Sequence, residues 1–346
     1  MFFRPCYVII YLSFLNIAKK TPLSTRGKKI ISVSIKITVL LLTIWFIHRK
    51  LSDNKNLYEF KRLIVRLDTE LLSLTIFSLF TLMLINWCLE CIKWQYLCRP
   101  IQKISFVKAF ESVFCGLSWA IFTPNRIGEY GGRVLFLNPR KRMFGVLAMA
   151  VGAFAQLVIT NMMGAIALVW FIGNYKYPSF WLYLALCLLA LGFILLMLLL
   201  YFRIKWLNRF IRRIKWLTKV QRFFFLLERY DTKQLWYVFF MSLFRYAVFT
   251  SQYMLVMHIL IPSIPTGPMV LMVFLLFFIQ SAMPSLDLLD VGVRSLTAGY
   301  LFAFITTQEL AVMASAASIW FINLIIPAII GSVFVFKINF FGNSNH

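Results

Sequence analysis

The chain has 346 residues, of which 61% are hydrophobic and only 14% charged, and its mean hydropathy is +0.81. These values exclude an ordinary soluble protein and predict an all-α integral membrane protein with about six to eight transmembrane helices. The net charge of +24 does not indicate nucleic-acid binding, because the basic residues flank apolar runs, where they orient membrane proteins and contact anionic lipids.

The first predicted elements are a basic N-terminal extension over residues 1–29 and a first span over residues 30–47. In the extension an apolar run precedes the stronger positive charge, the reverse of a secretory signal, so we expect no cleavage. Residues 48–70 mix both charges and predict an exposed connection. Residues 71–89 predict the second span, and residues 91–100 read as a basic and aromatic interface belt.

The next element interrupts the apolar pattern. Residues 123–133 read Thr-Pro-Asn-Arg-Ile-Gly-Glu-Tyr-Gly-Gly-Arg and follow a short apolar run at 113–122. That run cannot cross the bilayer, because a spanning helix takes about 20 residues. Broken backbone at membrane depth persists only where it is buried in protein or lines a wet cavity. We therefore expect a re-entrant segment that enters the membrane, breaks near Pro124 and turns back.

Two more spans are predicted at 144–172 and 180–202, followed by a strongly basic region at 203–233 that carries ten lysines and arginines against two carboxylates. By the positive-inside rule this region is cytoplasmic. Its aromatic and apolar residues recur at helical spacing, which favours an amphipathic helix on anionic lipid over a docking site for a partner. We expect the protein in the bacterial inner membrane, with this region and the tail at 338–346 in the cytoplasm.

The last elements are a span at 235–260, a short apolar run at 269–283, a second broken stretch at 283–294 and a final span at 312–336. The second broken stretch reads Met-Pro-Ser-Leu-Asp-Leu-Leu-Asp-Val-Gly-Val-Arg. Residues 30–337 are thus expected to form a single membrane domain.

The two broken stretches share a proline, carboxylates, glycine and a closing arginine. Short interrupted segments at matching places in two halves of a chain point to a transporter's binding site and suggest an inverted repeat. The alternative is a pair of kinked, capped helices. An arginine deep in the span at 235–260 usually faces a bundle interior or a water-filled path, or pairs with a buried carboxylate. The predicted substrate-binding residues are Pro124, Asn125, Arg126, Gly128, Glu129, Arg133, Arg245, Gln252, Pro284, Asp287, Asp290, Gly292 and Arg294.

These residue types suit the binding of a phosphate. The planar guanidinium of arginine binds phosphate through two hydrogen bonds and stays charged. Gly128, Gly131 and Gly132 would let backbone N–H groups approach the anion, while Glu129 and Asp290 would balance the arginines in an empty site. The expected ligand is an anionic phospholipid or a polyprenyl phosphate reached from the bilayer.

No metal or cofactor is expected. Cys88 and Cys91 have a Cys-x-x-Cys spacing, but the three histidines lie far from them in sequence. No nucleotide-binding P-loop is present in the sequence. We also expect no catalytic residue, although Glu129 or Asp290 could serve as a base.

The two broken stretches resemble the paired signatures of the lysylphosphatidylglycerol synthase transmembrane region family, also described as flippase-like membrane proteins. Residues 244–246 with Gln252, and residues 320–327, are similar to later parts of the same pattern, so the resemblance covers about residues 70–337. Where many relatives have a smaller, glycine-rich approach, this chain has Leu-Leu-Asp-Val before Gly292.

The resemblance implies translocation rather than synthesis. The family includes the membrane half of the bacterial multiple peptide resistance factor, which is associated with flipping aminoacylated phosphatidylglycerol, while a separate soluble domain transfers the aminoacyl group. Because the chain continues only to His346 after its last span, we expect no synthase activity. The leading hypothesis is a lipid translocase. The alternatives are a membrane-embedded transferase acting on lipid phosphates and a non-catalytic partner subunit of a glycosyltransferase or synthase.

Overall fold

The computed structural model describes residues 69–121, 123, 126–203, 230–283 and 287–335, with the backbone alone over 287–290. Several predictions concern residues outside this part of the chain: the N-terminal extension, the first span, most of the basic region, the C-terminal tail, and Pro124, Asn125 and Pro284.

The described residues form helices and contain no strand, which confirms the all-α membrane class. The helices are α1 (Thr69–Cys98), α2 (Phe106–Ala120), α3 (Ile127–Val134), a 3-10 turn (Pro139–Lys141), α4 (Arg142–Tyr175), α5 (Phe180–Phe202), α6 (Thr232–Leu260), α7 (Thr266–Ala282), α8 (Asp287–Phe302), α9 (Glu309–Trp320), a π-helical turn (Phe321–Ile325) and α10 (Ile326–Phe334). Among the described residues, four stretches are long and apolar enough to cross a membrane, namely Thr69–Cys98, Pro139–Tyr175, Phe180–Phe202 and Glu309–Phe334.

Helix α1 is longer than the span predicted at 71–89. It continues to Cys98, because the residues read as an interface belt are helical and pack in the core: Cys91, Trp94 and Leu97 are each at most 1% exposed. Tertiary packing thus buries much of a polar and aromatic stretch that looks interfacial when read alone, whereas Arg99 is exposed. The interface belt itself stays a prediction. The consequence of the packing is that Glu90 lies in the part of α1 that is buried in the core.

The predicted turn-back near Pro124 is confirmed as an antiparallel hairpin of α2 and α3. A Cβ atom added at Gly132 would lie 2.6 Å from the Cα atom of Gly116, and one added at Gly128 would lie 2.3 Å from the carbonyl oxygen of Trp119. Only glycine allows the two backbones to approach this closely. The glycines therefore hold α3 tightly against α2.

The second broken stretch also separates two helices, because α7 ends at Ala282, Met283 is extended and α8 begins at Asp287. Asp290, Gly292 and Arg294 lie on α8, much as the end of the first stretch lies on α3. Helix α8 packs mainly along α9, whereas α3 packs along α2. The inverted repeat stays a prediction.

The final span is interrupted by the π-helical turn. Pro327 has no N–H group, so the carbonyl of Asn323 lacks the donor that a regular helix would supply, and the turn widens. The Asn323 side chain donates a hydrogen bond to the carbonyl of Ile319 at 3.1 Å. Beyond the turn, α10 packs against α2, where the Ser118 hydroxyl donates to the carbonyl of Ala328 at 2.6 Å.

We predict that Gly331→Ala destabilises the protein by about 1–3 kcal/mol, which is typical of overpacking a core. A Cβ atom at this position would lie 1.9 Å from the carbonyl oxygen of Phe114. Gly192→Ala on α5 is the matched control, because nothing lies within 4 Å of its added Cβ atom. Thermal unfolding in detergent measures both variants. Equal midpoints for the two would contradict the close packing of α10 on α2.

Candidate functional site

A cavity of about 420 Å³ lies where α1, α3, α4, α6, α7, α8 and the π-helical turn meet. Both charged groups and aromatic rings line it. Among the lining side chains that the structure describes, five are basic and two are carboxylates. They are Lys93, Arg126, Arg133, Arg245 and Arg294, and Glu90 and Glu129.

Glu90 on α1 is the centre of the charged group. One of its carboxylate oxygens accepts from the Nη1 atom of Arg133 on α3 at 2.6 Å, and the other contacts the Nζ atom of Lys93 at 2.7 Å and pairs with Arg245 on α6. Its side chain is only 8% exposed. A charge this deeply buried is tolerated when it is paired on all sides. This carboxylate thus links three helices.

Arg133 joins this centre to the first broken stretch. Its side chain is 3% exposed and pairs with Glu129, one turn earlier on α3, as well as with Glu90. Glu129 also lies 3.3 Å from the Nε atom of Arg126, whose side chain is 35% exposed. Glu129 is therefore shared by one buried arginine and one accessible arginine.

Arg126 adopts a left-handed backbone conformation, with φ of 57°, immediately before α3. This conformation is uncommon for a residue other than glycine, and it costs of order 1 kcal/mol. Residues held in such conformations concentrate at functional sites. Arg126 both adopts this conformation and lines the cavity.

Arg245 is held by three kinds of contact. Besides its pair with Glu90, its Nε atom donates to the Oδ1 atom of Asn86 at 3.1 Å, and its guanidinium lies 5.4 Å from the ring centroid of Trp87. The sequence left two roles open for Arg245, a binding site or a pair with a buried carboxylate. The structure combines them, because Arg245 lines the cavity and pairs with Glu90.

The second broken stretch reaches the same cavity. Arg294 on α8 and Met283 lie on its wall, together with Gln280 on α7. The Nη1 atom of Arg294 donates to the Oε1 atom of Gln280 at 3.1 Å. The structure therefore brings the two stretches together, as the sequence predicted, through Arg126, Glu129 and Arg133 on one side and Arg294 on the other.

Comparison with known proteins identifies the family. Residues 33–332 match the model of the lysylphosphatidylglycerol synthase TM region. The chain belongs to this family. No match was found among the curated proteins or among the solved structures. The family match includes both broken stretches and every described residue on the cavity wall, and it begins within the first predicted span.

Other predicted site residues of this family member lie elsewhere. Gln252 is completely buried and its Nε2 atom donates to the carbonyl of Leu79 at 3.2 Å, so it joins α6 to α1. Gly292 is on α8 but is not among the residues that line the cavity. The side chains of Asp287 and Asp290 are outside the described part of the structure.

The expected glycine cradle for an anion is not what the structure shows. The backbone N–H group of Gly128 donates to the hydroxyl of Thr123 at 2.7 Å, and Gly128 and Gly132 both pack closely against α2. These glycines serve helix packing. An anion in this cavity would therefore meet side chains, above all those of the arginines, rather than the backbone of these glycines.

Sequence reasoning missed Glu90, Lys93 and Gln280. A signal was present, since Glu90 and Lys93 are three residues apart and directly follow a long apolar run. A carboxylate at the end of a span is ordinarily assigned to the interface, which concealed its role. Across the described residues, no group of three or more histidine, cysteine or acidic side chains could hold a metal ion.

We predict that Glu90→Gln destabilises the protein by about 3–5 kcal/mol, because it leaves buried positive charges without their counter-ion. Glu70→Gln on the same helix is the control, since Glu70 is exposed and exposed substitutions usually change stability by less than about 0.5 kcal/mol. Thermal unfolding in detergent compares the two. Wild-type stability of Glu90→Gln would show that the ion pairs of Glu90 do not hold these helices together.

Proposed function

We propose that this protein is a lipid translocase of the bacterial inner membrane that binds the phosphate of an anionic phospholipid or a lipid-linked phosphate in the cavity. The observation that carries the proposal is the cluster of arginines on the wall of a cavity enclosed by membrane helices. Arginine binds phosphate through two parallel hydrogen bonds and keeps its charge at any accessible pH.

The carboxylate of Glu129, which two arginines share, allows a phosphate to replace one of its ion pairs. This carboxylate pairs with both Arg126 and Arg133. A phosphate that enters beside Arg126 replaces Glu129 as the partner of that arginine, while Arg133 keeps its pair with Glu90. No buried charge loses all its partners during binding, so binding and release both stay energetically accessible.

The remaining walls suit a lipid rather than a free anion. Phe249, Tyr253 and Phe277 line the cavity beside the charged groups. Such a mixed lining can accept an apolar group next to a phosphate. In addition, α5 exposes apolar side chains along its whole length, as expected for a helix facing acyl chains.

The chemistry of the two described carboxylates of the cavity favours translocation over a transferase that uses either of them as its base. A general base must be able to take a proton from its substrate. Glu90 and Glu129 instead accept from arginines, an arrangement that stabilises charge. The partner-subunit alternative differs in a measurable way, because it does not require the arginines of the cavity.

We predict that Arg126→Asn lowers lipid movement about tenfold or more, since a hydrogen bond to a charged group contributes about 1.5–3 kcal/mol. Asparagine tolerates the left-handed conformation of residue 126, so the backbone is preserved. The measurement is the movement of fluorescent anionic phospholipids and polyprenyl phosphates across proteoliposomes. Arg140→Asn is the control, because Arg140 is exposed in the 3-10 turn and is not among the residues that line the cavity.

Each contrary outcome has a distinct meaning. If folded wild-type protein moves no lipid of any class, the translocase proposal is wrong and the enzyme or partner-subunit alternative takes its place. If Arg126→Asn moves lipid as fast as Arg140→Asn, the binding site is not this cavity. Arg133→Ala is a poorer test, because removing Arg133 leaves Glu90 and Glu129 short of a buried partner.

A further inference from the structure

The cavity contains a second set of polar atoms that phosphate binding does not use. Within the described part of the chain, and apart from the ion-paired arginines, six uncharged lining residues each have a buried side-chain polar atom without a hydrogen-bond partner. These atoms are Trp87 Nε1, Trp320 Nε1, Gln280 Nε2, Tyr246 Oη, Gln156 Oε1 and Asn323 Oδ1. Buried polar atoms in proteins are nearly always hydrogen-bonded, so these atoms require water or a ligand in the cavity.

The set contains both donors and acceptors, which restricts the chemistry of a ligand. The indole N–H groups of Trp87 and Trp320 can only donate, whereas the side-chain oxygens of Gln156 and Asn323 can only accept. Phosphate oxygens only accept, so a phosphate could satisfy only the donors of the set. An ammonium group only donates, so it could satisfy only the acceptors. A hydroxyl group does both. Several hydroxyl groups on one ligand therefore match these atoms best.

The aromatic side chains support the same assignment. Trp87, Tyr246 and Trp320 each combine a polar atom with a large apolar ring on the cavity wall. Rings of this kind provide an apolar surface and a hydrogen bond at once. A polyol has the complementary construction, since its hydroxyl groups project from a carbon skeleton.

Among the side chains that the structure describes, the charges of the cavity disfavour an ammonium-bearing head group. The described carboxylates of the cavity, Glu90 and Glu129, are both engaged by arginines. An added ammonium group would lie near Lys93 and the arginines of the wall, and like charges placed together in a binding site oppose binding.

We infer that the cavity binds a lipid phosphate whose head group is an uncharged polyol, such as glycerol, inositol or a sugar, in preference to an alkyl or ammonium-bearing head group. This inference rests on the proposed function, because it assigns the substrate class of the same cavity. The polyol occupies the region of Trp87, Tyr246 and Trp320, and the phosphate contacts Arg126.

The test compares lipids of equal charge whose head groups carry or lack hydroxyl groups. Phosphatidylglycerol and phosphatidylmethanol carry the same single charge, as do polyprenyl phosphohexose and polyprenyl methyl phosphate. In proteoliposomes of the wild-type chain, we expect the hydroxylated member of at least one pair to move about three to ten times faster, the effect of one or two hydrogen bonds. The pair that shows the preference distinguishes a glycerophospholipid from an isoprenoid substrate. Phosphatidylserine, whose head group bears an ammonium and a carboxylate group but no hydroxyl group, should move more slowly than phosphatidylglycerol.

Two matched variants test whether the preference for hydroxylated head groups arises at Tyr246. Tyr246→Phe removes only a hydroxyl group and should bring the ratio of rates within the preferred pair towards one. Tyr237→Phe makes the same change earlier on α6, at a residue that stacks near Tyr96 and is not among those that line the cavity. It should keep the wild-type ratio.

The outcomes separate this inference from the proposed function. Equal movement within both lipid pairs, or faster movement of phosphatidylserine, overturns the polyol preference while leaving the translocase intact. If Tyr246→Phe leaves the ratio of rates within the preferred pair unchanged, the polyol does not bind near Tyr246. If no lipid of any class moves, the proposed function fails and the inference fails with it.

Discussion

The ion pairs of Glu90 are the interaction on which the rest of the structure depends. A carboxylate among membrane helices is costly unless it is paired. Glu90 meets this requirement by binding Lys93 on its own helix, Arg133 on α3 and Arg245 on α6. These pairs draw a re-entrant hairpin and two long helices together around the cavity. They also fix two of its arginines in place.

The arginines consequently divide into two kinds. Arg133 is buried and holds the site together, whereas Arg126 is one-third exposed and lines the cavity in which we propose that a lipid phosphate binds. The division depends on glycine, because α3 reaches its position only where Gly132 packs directly on Gly116. Close backbone packing and ion pairing are thus successive consequences of one short stretch of sequence.

The sequence predicted the features that depend on local pattern. Apolar runs predicted the spans, and the proline and glycines of residues 123–133 predicted the hairpin. The features it could not predict depend on contacts between distant residues. Arg133 and Arg245 are 43 and 155 positions from Glu90, so no local pattern marks Glu90 as their common partner. Likewise, no local pattern shows that the side chain of Gln252 points towards α1 and binds the carbonyl of Leu79.

The central claim is that lipid phosphate binds inside a cavity held together by Glu90. The most direct measurement is an experimental structure of the protein in lipid nanodiscs that contain phosphatidylglycerol. The account predicts a lipid phosphate within hydrogen-bonding distance of Arg126, with Glu90 still paired to Arg133 and Arg245. Lipid phosphates found only at the outer surface, or a Glu90 side chain separated from both arginines, would contradict it.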